Sequence, residues 1–228
     1  MHDKRLTLRV LSALLRYPDT ALRDAAPELV QALDAERALC ASRLAELAAL
    51  LHQLQTMDPF EAEARFIETF DRGRATSLHL FEHVHGDSRD RGPALVDLGQ
   101  TYERAGLTFE GDELPDHLSV VLEFASTQST KVAREFLNEM AHILNAVFSA
   151  LRERESPYAS VIAAVLELAG QKAEAVPVQA DQAIDDAWAE PPAFDGCSSV
   201  GQASPGTPQP IHIVRSTKSS PASQGARA

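Results

Sequence analysis

Apolar residues recur at steps of three and four along the first 170 positions, which is the spacing that places them on one face of an α-helix. In the segment 36–55 this apolar stripe consists of Cys40, Leu44, Leu47, Leu51 and Leu54. No segment has the alternating pattern of a β-strand, and no hairpin dipeptide lies between two such segments. The pattern therefore predicts an all-α fold, with Cys40 as a small residue of the core.

Capping and helix-breaking residues predict where individual helices begin and end. The pair Asp58-Pro59 is typical of a helix start, because an Asp side chain caps free amides and Pro suits the first turn. This helix is expected to bury Phe60, Ala64, Ile67 and Phe70. Helical periodicity continues without a break through residues 130–154, which predicts one long helix there.

The composition changes after Gly170, where Pro, Gly, Ser, Gln and Ala replace the periodic pattern. Seven of the 13 prolines lie beyond this point, and the segment buries too little apolar surface to offset the entropy of ordering it. We predict a single-domain helical bundle over residues 1–170 and a disordered, flexible tail over residues 171–228. Within the tail, residues 186–194 and 210–214 are apolar enough to bind another surface, and Trp188 is the candidate to pack on the helical body.

The chain is acidic, with a formal net charge of −12 at pH 7 and a pI near 5.1. Nucleic-acid binding needs clustered Lys and Arg, so this charge argues against a nucleic-acid partner and suits a basic peptide. The two cysteines form no ligand or disulfide spacing. No secretory signal and no run long enough to span a bilayer is present. These features predict a soluble cytoplasmic protein without a membrane span.

One stretch, residues 66–92, concentrates polar groups more densely than the rest of the sequence. Its acids and bases nearly balance, so it is not a solvated run of one sign. Clustered polar groups need partners, and we expect them to bind one another, backbone termini or a ligand. The residues concerned are Asp71, Arg72, Arg74, His79, Glu82, His83, His85, Asp87, Arg89, Asp90 and Arg91.

Within this stretch, His79, Glu82 and His83 fit the pattern H-x-x-E-H of a zinc hydrolase. On a helix the two histidines lie one turn apart and could hold zinc, with Glu82 activating a water molecule. The alternative is a hydrogen-bonded, structural pair of histidines, because a pattern with three fixed positions often matches by chance. Candidates for the third zinc ligand are Glu135, Glu139 and Glu153.

The arginine pairs Arg72/Arg74 and Arg89/Arg91 also have two interpretations. Guanidinium pairs bind the carboxylates or phosphates of a ligand in bidentate fashion. Alternatively, they pair with the acids interleaved among them and hold the loops in place. Those acids are Asp71, Glu82, Asp87 and Asp90.

Glu113, Asp116 and His117 lie at the predicted start of a further helix. Carboxylates stabilise the positive end of a helix, so capping accounts for them without a function. Side chains here could equally face a cleft and accept hydrogen bonds from a peptide. The sequence lacks a P-loop, a dinucleotide-binding glycine pattern and a G-x-S-x-G elbow. The residues therefore favour a binding protein over an enzyme.

Three segments together resemble a known family. They are residues 68–98 (ETFDRGRATSLHLFEHVHGDSRDRGPALVDL), 102–107 (YERAGL) and 113–126 (ELPDHLSVVLEFAS). They resemble the assembly chaperones of respiratory nitrate reductase, historically called its delta subunit. These belong to the wider family of redox-enzyme maturation chaperones that includes TorD and DmsD. The resemblance covers most of residues 1–170 and implies an all-α, TorD-like helical bundle.

The resemblance implies a chaperone rather than an enzyme. Members of this family bind the apo catalytic (alpha) subunit through its N-terminal leader in the cytoplasm. They hold it while bis-molybdopterin guanine dinucleotide and an iron–sulfur centre are inserted, and they bind no cofactor permanently. The alpha–beta subunit complex then attaches to the membrane subunit. A structural subunit that stays in the final complex is the remaining alternative to a chaperone and a zinc enzyme.

The resemblance also carries a binding role to individual residues. Glu113, Asp116 and His117 match the E-x-x-D-H motif of the wider family, with Pro115 also in place. The segment containing His79-Leu80-Phe81-Glu82-His83 is not a zinc site in the family.

A leader peptide of this kind is a basic amphipathic helix, which binds with its apolar face in a groove. We expect that groove between residues 66–84 and 115–126, with carboxylates on its rim attracting basic residues of the leader. The residues expected to contact the client are Arg72, Arg74, His79, Glu82, His83, Asp87, Arg89, Glu113, Pro115, Asp116 and His117.

Overall fold

The computed structural model describes residues 4–86, 88–108 and 113–177. Within these ranges the chain forms eleven α-helices, one 3-10 turn and a single isolated β-bridge, so the predicted all-α class is confirmed. None of the helices in these ranges is long and apolar enough to cross a bilayer. Asp87, Trp188 and the segments 186–194 and 210–214 lie outside the described residues, and the tail stays a prediction.

The helices follow one another with short connections. The first five are α1 (Arg5–Leu14), α2 (Thr20–Asp24), α3 (Ala26–Glu36), α4 (Ala41–Thr56) and α5 (Pro59–Phe70). The polar stretch contains the 3-10 turn η1 (Arg74–Thr76) and the short helix α6 (Leu80–His85). The remaining five are α7 (Arg91–Arg104), α8 (Leu118–Thr127), α9 (Thr130–Glu139), α10 (Ala141–Glu153) and α11 (Ala159–Ala169).

Helix α11 is the centre of the bundle. Its sequence ASVIAAVLELA is apolar on nearly every side, and almost all of its side chains are buried. A helix of that kind belongs in the interior of a helical protein. Helices α1, α4, α9 and α10 pack around it. Gly170 ends α11 at a φ of +82°, a left-handed conformation that glycine adopts without steric cost.

Helix α8 contacts α1 and contributes Phe124 to a small second hydrophobic cluster, whose other buried members are Leu98 and Tyr102. Helix α1 packs along it, and the Ser12 hydroxyl donates a buried hydrogen bond of 2.8 Å to the carbonyl of Ser119. In the second cluster, Phe124 of α8 packs against Leu98 and Tyr102 of α7, and the ring centroids of Tyr102 and Phe124 are 4.6 Å apart. These contacts fix the beginning of α8, where the E-x-x-D-H motif lies.

The predicted start of α5 is confirmed, but its predicted buried face is wrong except at Phe70. The Asp58 carboxylate caps the helix by accepting the amide of Phe60 at 3.0 Å. Phe60 itself is 80% exposed and Ile67 is also exposed, whereas Phe66 and Phe70 are buried. The reason is an aromatic cluster with Tyr158 from the start of α11, whose ring centroid lies 5.0 Å from that of Phe70.

The segment 130–154 forms two helices rather than one. The helical hydrogen bonding is interrupted at Met140, which ends α9 and precedes α10 with φ −94° and ψ 2°. Both helices pack on α11, and α9 also packs on α8. No Gly or Pro marks the break, so tertiary packing determines it rather than local sequence.

Cys40 is not a core residue. It is the N-cap of α4 and is exposed, because the helix begins one residue later, at Ala41. Its amide donates to the Glu167 carboxylate at 2.6 Å. The expectation that Cys40 lies on the buried face is therefore wrong.

Candidate functional site

The centre of the polar site is Asp116, a carboxylate with no exposed surface. Its Oδ2 accepts the amide of Phe81 at 3.0 Å, and its Oδ1 lies 3.3 Å from His79 Nδ1. Arg91 Nη2 lies 3.9 Å from Oδ2. Phe81 is in the first turn of α6, so Asp116 caps that helix from 35 residues away along the chain. A buried carboxylate requires such partners to offset its lost hydration.

A backbone bridge joins the polar stretch to the E-x-x-D-H motif. Two hydrogen bonds of 3.1 and 2.9 Å between residues 78–80 and 116–118 flank the pair His79 and His117. In an antiparallel arrangement this is the non-hydrogen-bonded type of pair, whose side chains approach each other most closely. The two imidazole rings accordingly meet edge to face, with centroids 5.1 Å apart. Two segments far apart in sequence therefore form one site.

Arg91 connects two acids of this site. Its Nη1 is 3.0 Å from Glu82 Oε1, while its Nη2 faces Asp116. The other carboxylate oxygen of Glu82 accepts a hydrogen bond from the Ser77 hydroxyl. Sequence reasoning selected Arg89 for the site, but Arg89 is exposed in the turn before α7. No local signal separates the two arginines, since both adjoin Asp90.

The two histidines of the bridge differ in protonation. The hydrogen bond to Asp116 raises the pKa of His79, and this effect outweighs the opposing effect of burial. Burial raises the pKa of Asp116, but the bonds to His79 and to the Phe81 amide, with the charge of Arg91, hold it below its usual value. Both directions favour an ion pair between His79 and Asp116. Burial lowers the pKa of His117 and favours its neutral form.

His117 is the N-cap of α8. Its Nδ1 accepts the amide of Ser119 at 3.4 Å and lies 2.7 Å from the Ser119 hydroxyl oxygen. Of the three motif residues, His117 therefore caps α8, whereas Asp116 caps α6. Glu113 is exposed.

Pro115 fixes the motif segment to α7 through its carbonyl, which accepts the Tyr102 hydroxyl at 2.8 Å. Burial raises the pKa of Tyr102, so the phenol stays protonated and donates.

The other predicted site residues lie around this centre. His83 Nε2 is 2.9 Å from the carbonyl oxygen of Ser77. Arg72 pairs with Glu68 at 2.9 Å on the exposed face of α5, and Arg74 lies in η1. The structure thus brings together His79, Glu82, Asp116 and His117, with Glu113 and Pro115 beside them. Arg72 and Arg89 lie outside this cluster.

The zinc-hydrolase interpretation of His79, Glu82 and His83 is wrong. His79 precedes α6 and turns toward Asp116, His83 faces a backbone carbonyl, and Glu82 is paired with Arg91. Their ligand atoms do not converge on one point. Within the described ranges, the group whose ligand atoms do converge is His79, Glu113 and His117, with one atom of each within 4.8 Å of the others.

A groove of about 850 Å³ lies beside the site, between α8 and the first three helices. Its apolar lining includes Ala13, Leu22, Leu29, Val120 and Phe124. Three carboxylates also line it, namely Asp19, Glu113 and Glu123. We expected a groove between residues 66–84 and 115–126, but those segments meet in the backbone bridge, and the groove lies along α8 and α1–α3.

This fold is that of redox-enzyme maturation proteins. A redox enzyme maturation protein from Archaeoglobus fulgidus matches with a TM-score of 0.51, covering 73% of this chain and 94% of that chain at 20% sequence identity. At this identity the likeness shows the fold, and it confirms the predicted TorD-like bundle.

The sequence defines the family within that fold. The profile described as nitrate reductase delta subunit matches residues 17–164. NarJ of Escherichia coli K12, a nitrate reductase molybdenum cofactor assembly chaperone, is 44% identical over 184 residues, covering 79% of this chain and 78% of NarJ. NarW of the same strain is 36% identical over 193 residues, covering 80% of each chain. The chain belongs to the nitrate reductase delta subunit family and is a maturation chaperone, not an enzyme.

Proposed function

We propose that this chaperone binds the apo catalytic (alpha) subunit of a respiratory nitrate reductase through the N-terminal leader of that subunit. The observation that carries this proposal is the groove along α8, whose lining combines apolar residues with three carboxylates and one basic residue, Arg16. The family relationship supports a nitrate reductase as the client.

The groove matches the chemistry of a basic amphipathic helix. Leu29, Val120 and Phe124 offer apolar surface to one face of the leader, as in other complexes that seat a helix in a groove. Glu113 and Glu123 are exposed and stand beside that surface. Their charges attract Lys and Arg on the opposite face of the leader and speed its association.

The polar site has a positioning role in this proposal. Asp116 and His117 are buried and hold the segment that leads into α8. Glu113 belongs to the same segment and reaches the groove from it. A peptide therefore contacts Glu113, while the buried pair keeps Glu113 in place.

The proposed outcome of binding is assembly of the client. The chaperone keeps the alpha subunit open for insertion of bis-molybdopterin guanine dinucleotide, binds no cofactor permanently itself, and releases the alpha–beta complex before membrane attachment. The cytoplasm is the proposed place of these steps. NarJ, by its name, supports the molybdenum-cofactor part of this sequence.

A peptide-binding measurement tests the proposal. The leader of the alpha subunit is labelled with a fluorophore and titrated with wild-type protein and with the double variant Glu113→Gln/Glu123→Gln. Two rim charges are each worth about 0.2–1 kcal/mol, so affinity is expected to fall about 2- to 30-fold at low salt and less at high salt. Glu139→Gln is the matched control, because Glu139 is exposed on α9 and does not line the groove.

A second measurement uses the full-length alpha subunit with and without its leader. Loss of the leader is expected to remove most of the binding. Equal affinity of both forms, or a double variant that binds the leader as wild type does, would place the client site elsewhere.

A further inference from the structure

We propose that His79, Glu113 and His117 form a binding site for one divalent transition-metal ion of the zinc type. One ligand atom from each side chain lies within 4.8 Å of the other two. The site shares Glu113 with the client groove, and it differs from the H-x-x-E-H arrangement because it takes one histidine from each of two segments.

The backbone bridge sets the spacing of the two imidazoles. His79 and His117 are directly opposite each other, and the flanking hydrogen bonds fix both backbones. A pair of this type projects both side chains from the same face of the bridge. The rings therefore stay close without being neighbours on one helix.

Asp116 orients the first ligand. Its Oδ1 accepts from His79 Nδ1 at 3.3 Å, which leaves Nε2 as the nitrogen that His79 can offer to an ion. A carboxylate behind a histidine in this way fixes the tautomer and the ring orientation of many metal ligands. Asp116 is itself held by the Phe81 amide and by Arg91, so the orienting group does not move freely.

Ser119 orients the second ligand. In the cap of α8, His117 Nδ1 accepts the Ser119 amide, and when an ion binds, Nδ1 instead carries the proton and donates to the Ser119 hydroxyl oxygen 2.7 Å away. In that tautomer the lone pair of His117 Nε2 is free for an ion. Both rings then have Nδ1 held by a protein partner and Nε2 available.

Glu113 completes the set with an exposed carboxylate. Two imidazoles and one carboxylate are a zinc ligand set that leaves a fourth position open. Imidazole nitrogen favours zinc, copper, nickel or iron over magnesium and calcium. Ligand atoms around a tetrahedral ion lie about 3.3 Å apart for bonds of about 2 Å, so the three ligand atoms, now within 4.8 Å of one another, must approach by up to about 1.5 Å, and the exposed Glu113 can supply that movement. Its exposed side chain is free of packing that would prevent this.

The test is a metal titration of the full chain after treatment with a chelator. Cobalt(II) is added and followed through its visible absorption, which is intense for tetrahedral sites, and zinc is then added as a competitor. We expect one such ion per chain, displaced by zinc. Glu113→Gln and His117→Gln are expected to weaken binding at least about 10-fold, and Asp116→Asn by about 10- to 100-fold as an orienting group.

His83→Gln is the matched control, because His83 lies in the same polar stretch and bonds to the Ser77 carbonyl. It is expected to bind cobalt like the wild type. Glu113 is exposed, so Glu113→Gln keeps the fold, which circular dichroism verifies. The proposal is overturned by the absence of a tetrahedral cobalt spectrum, by wild-type affinity in both ligand variants, or by a loss in His83→Gln equal to theirs. None of these results affects the groove, whose peptide titration is carried out with chelator present.

Discussion

Replacement of Asp116 by alanine should be among the most destabilising single changes in the polar site. The substitution removes the acceptor for the Phe81 amide and leaves His79 and Arg91 without their buried counter-charge. The side chain is fully buried, so water cannot readily take its place.

The magnitude follows from the three lost contacts. A hydrogen bond to a charged acceptor contributes about 1.5–3 kcal/mol, and this range covers the Phe81 bond. The His79 and Arg91 side chains are 28% and 21% exposed, so water partly compensates them, and Arg91 keeps Glu82. We expect a loss of about 3 kcal/mol in the free energy of unfolding, which corresponds to a fall in Tm of about 6–12 °C for a protein of this size.

Urea unfolding followed by far-UV circular dichroism measures this loss. Asp97→Ala is the matched control, since Asp97 is exposed on α7, and it should change the free energy of unfolding by no more than about 0.5 kcal/mol. Asp116→Asn should fall between the two, because its amide oxygen can still accept from Phe81. If Asp116→Ala unfolds at the same urea concentration as Asp97→Ala, the carboxylate does not hold the site together.

Three further predictions concern pH, a hydroxyl and two glycines. The folded-state pKa of His79 is raised, so the stability that its pairing with Asp116 contributes is fully present below about pH 6.5 and is lost as pH rises through the folded pKa. The loss of unfolding free energy in His79→Gln, measured in urea with chelator present, should therefore be smaller at about pH 8.5 than at about pH 5.5. Tyr102→Phe loses one hydrogen bond and should cost about 1 kcal/mol in the same assay, whereas a value near zero would show that the Pro115 contact is dispensable. Gly170→Ala should lower the free energy of unfolding by about 1–2 kcal/mol because of the positive φ at Gly170. Gly99→Ala should raise it by about 0.5–1 kcal/mol, because Gly99 lies in the middle of α7 with open space around it. Equal effects of the two substitutions would contradict this account.

Sequence periodicity predicted the helices better than it predicted their orientation. The start of α5 is local chemistry, an Asp followed by Pro, and it was predictable. The buried face of α5 depends on the aromatic ring of Tyr158, which lies far along the chain, and the predicted face was wrong. The break at Met140 has no residue that marks it, because the packing of α9 and α10 on α11 determines it.

The polar site shows the same division. The resemblance and the density of charge identified His79, Glu82, Asp116 and His117 as important positions. The pairing of Asp116 with α6 was not predictable, since a carboxylate beside one helix start would ordinarily cap that helix. Pairing of Arg91 with Glu82 was one of the two interpretations of the arginine pairs, but its approach to Asp116 was not predictable, because Asp116 comes from a separate segment.

The position of α11 at the centre has a consequence for how the molecule is made. Helix α11 follows the other ten in chain order, yet it supplies the apolar surface on which α1, α4, α9 and α10 close. While the ribosome is still translating the earlier helices, their inward faces have nothing to cover them. Contacts between the two ends of such a chain form late and slowly. A chaperone for incompletely assembled proteins is therefore itself incompletely folded during most of its synthesis. A nonsense mutation before codon 159 would leave no partially working fragment.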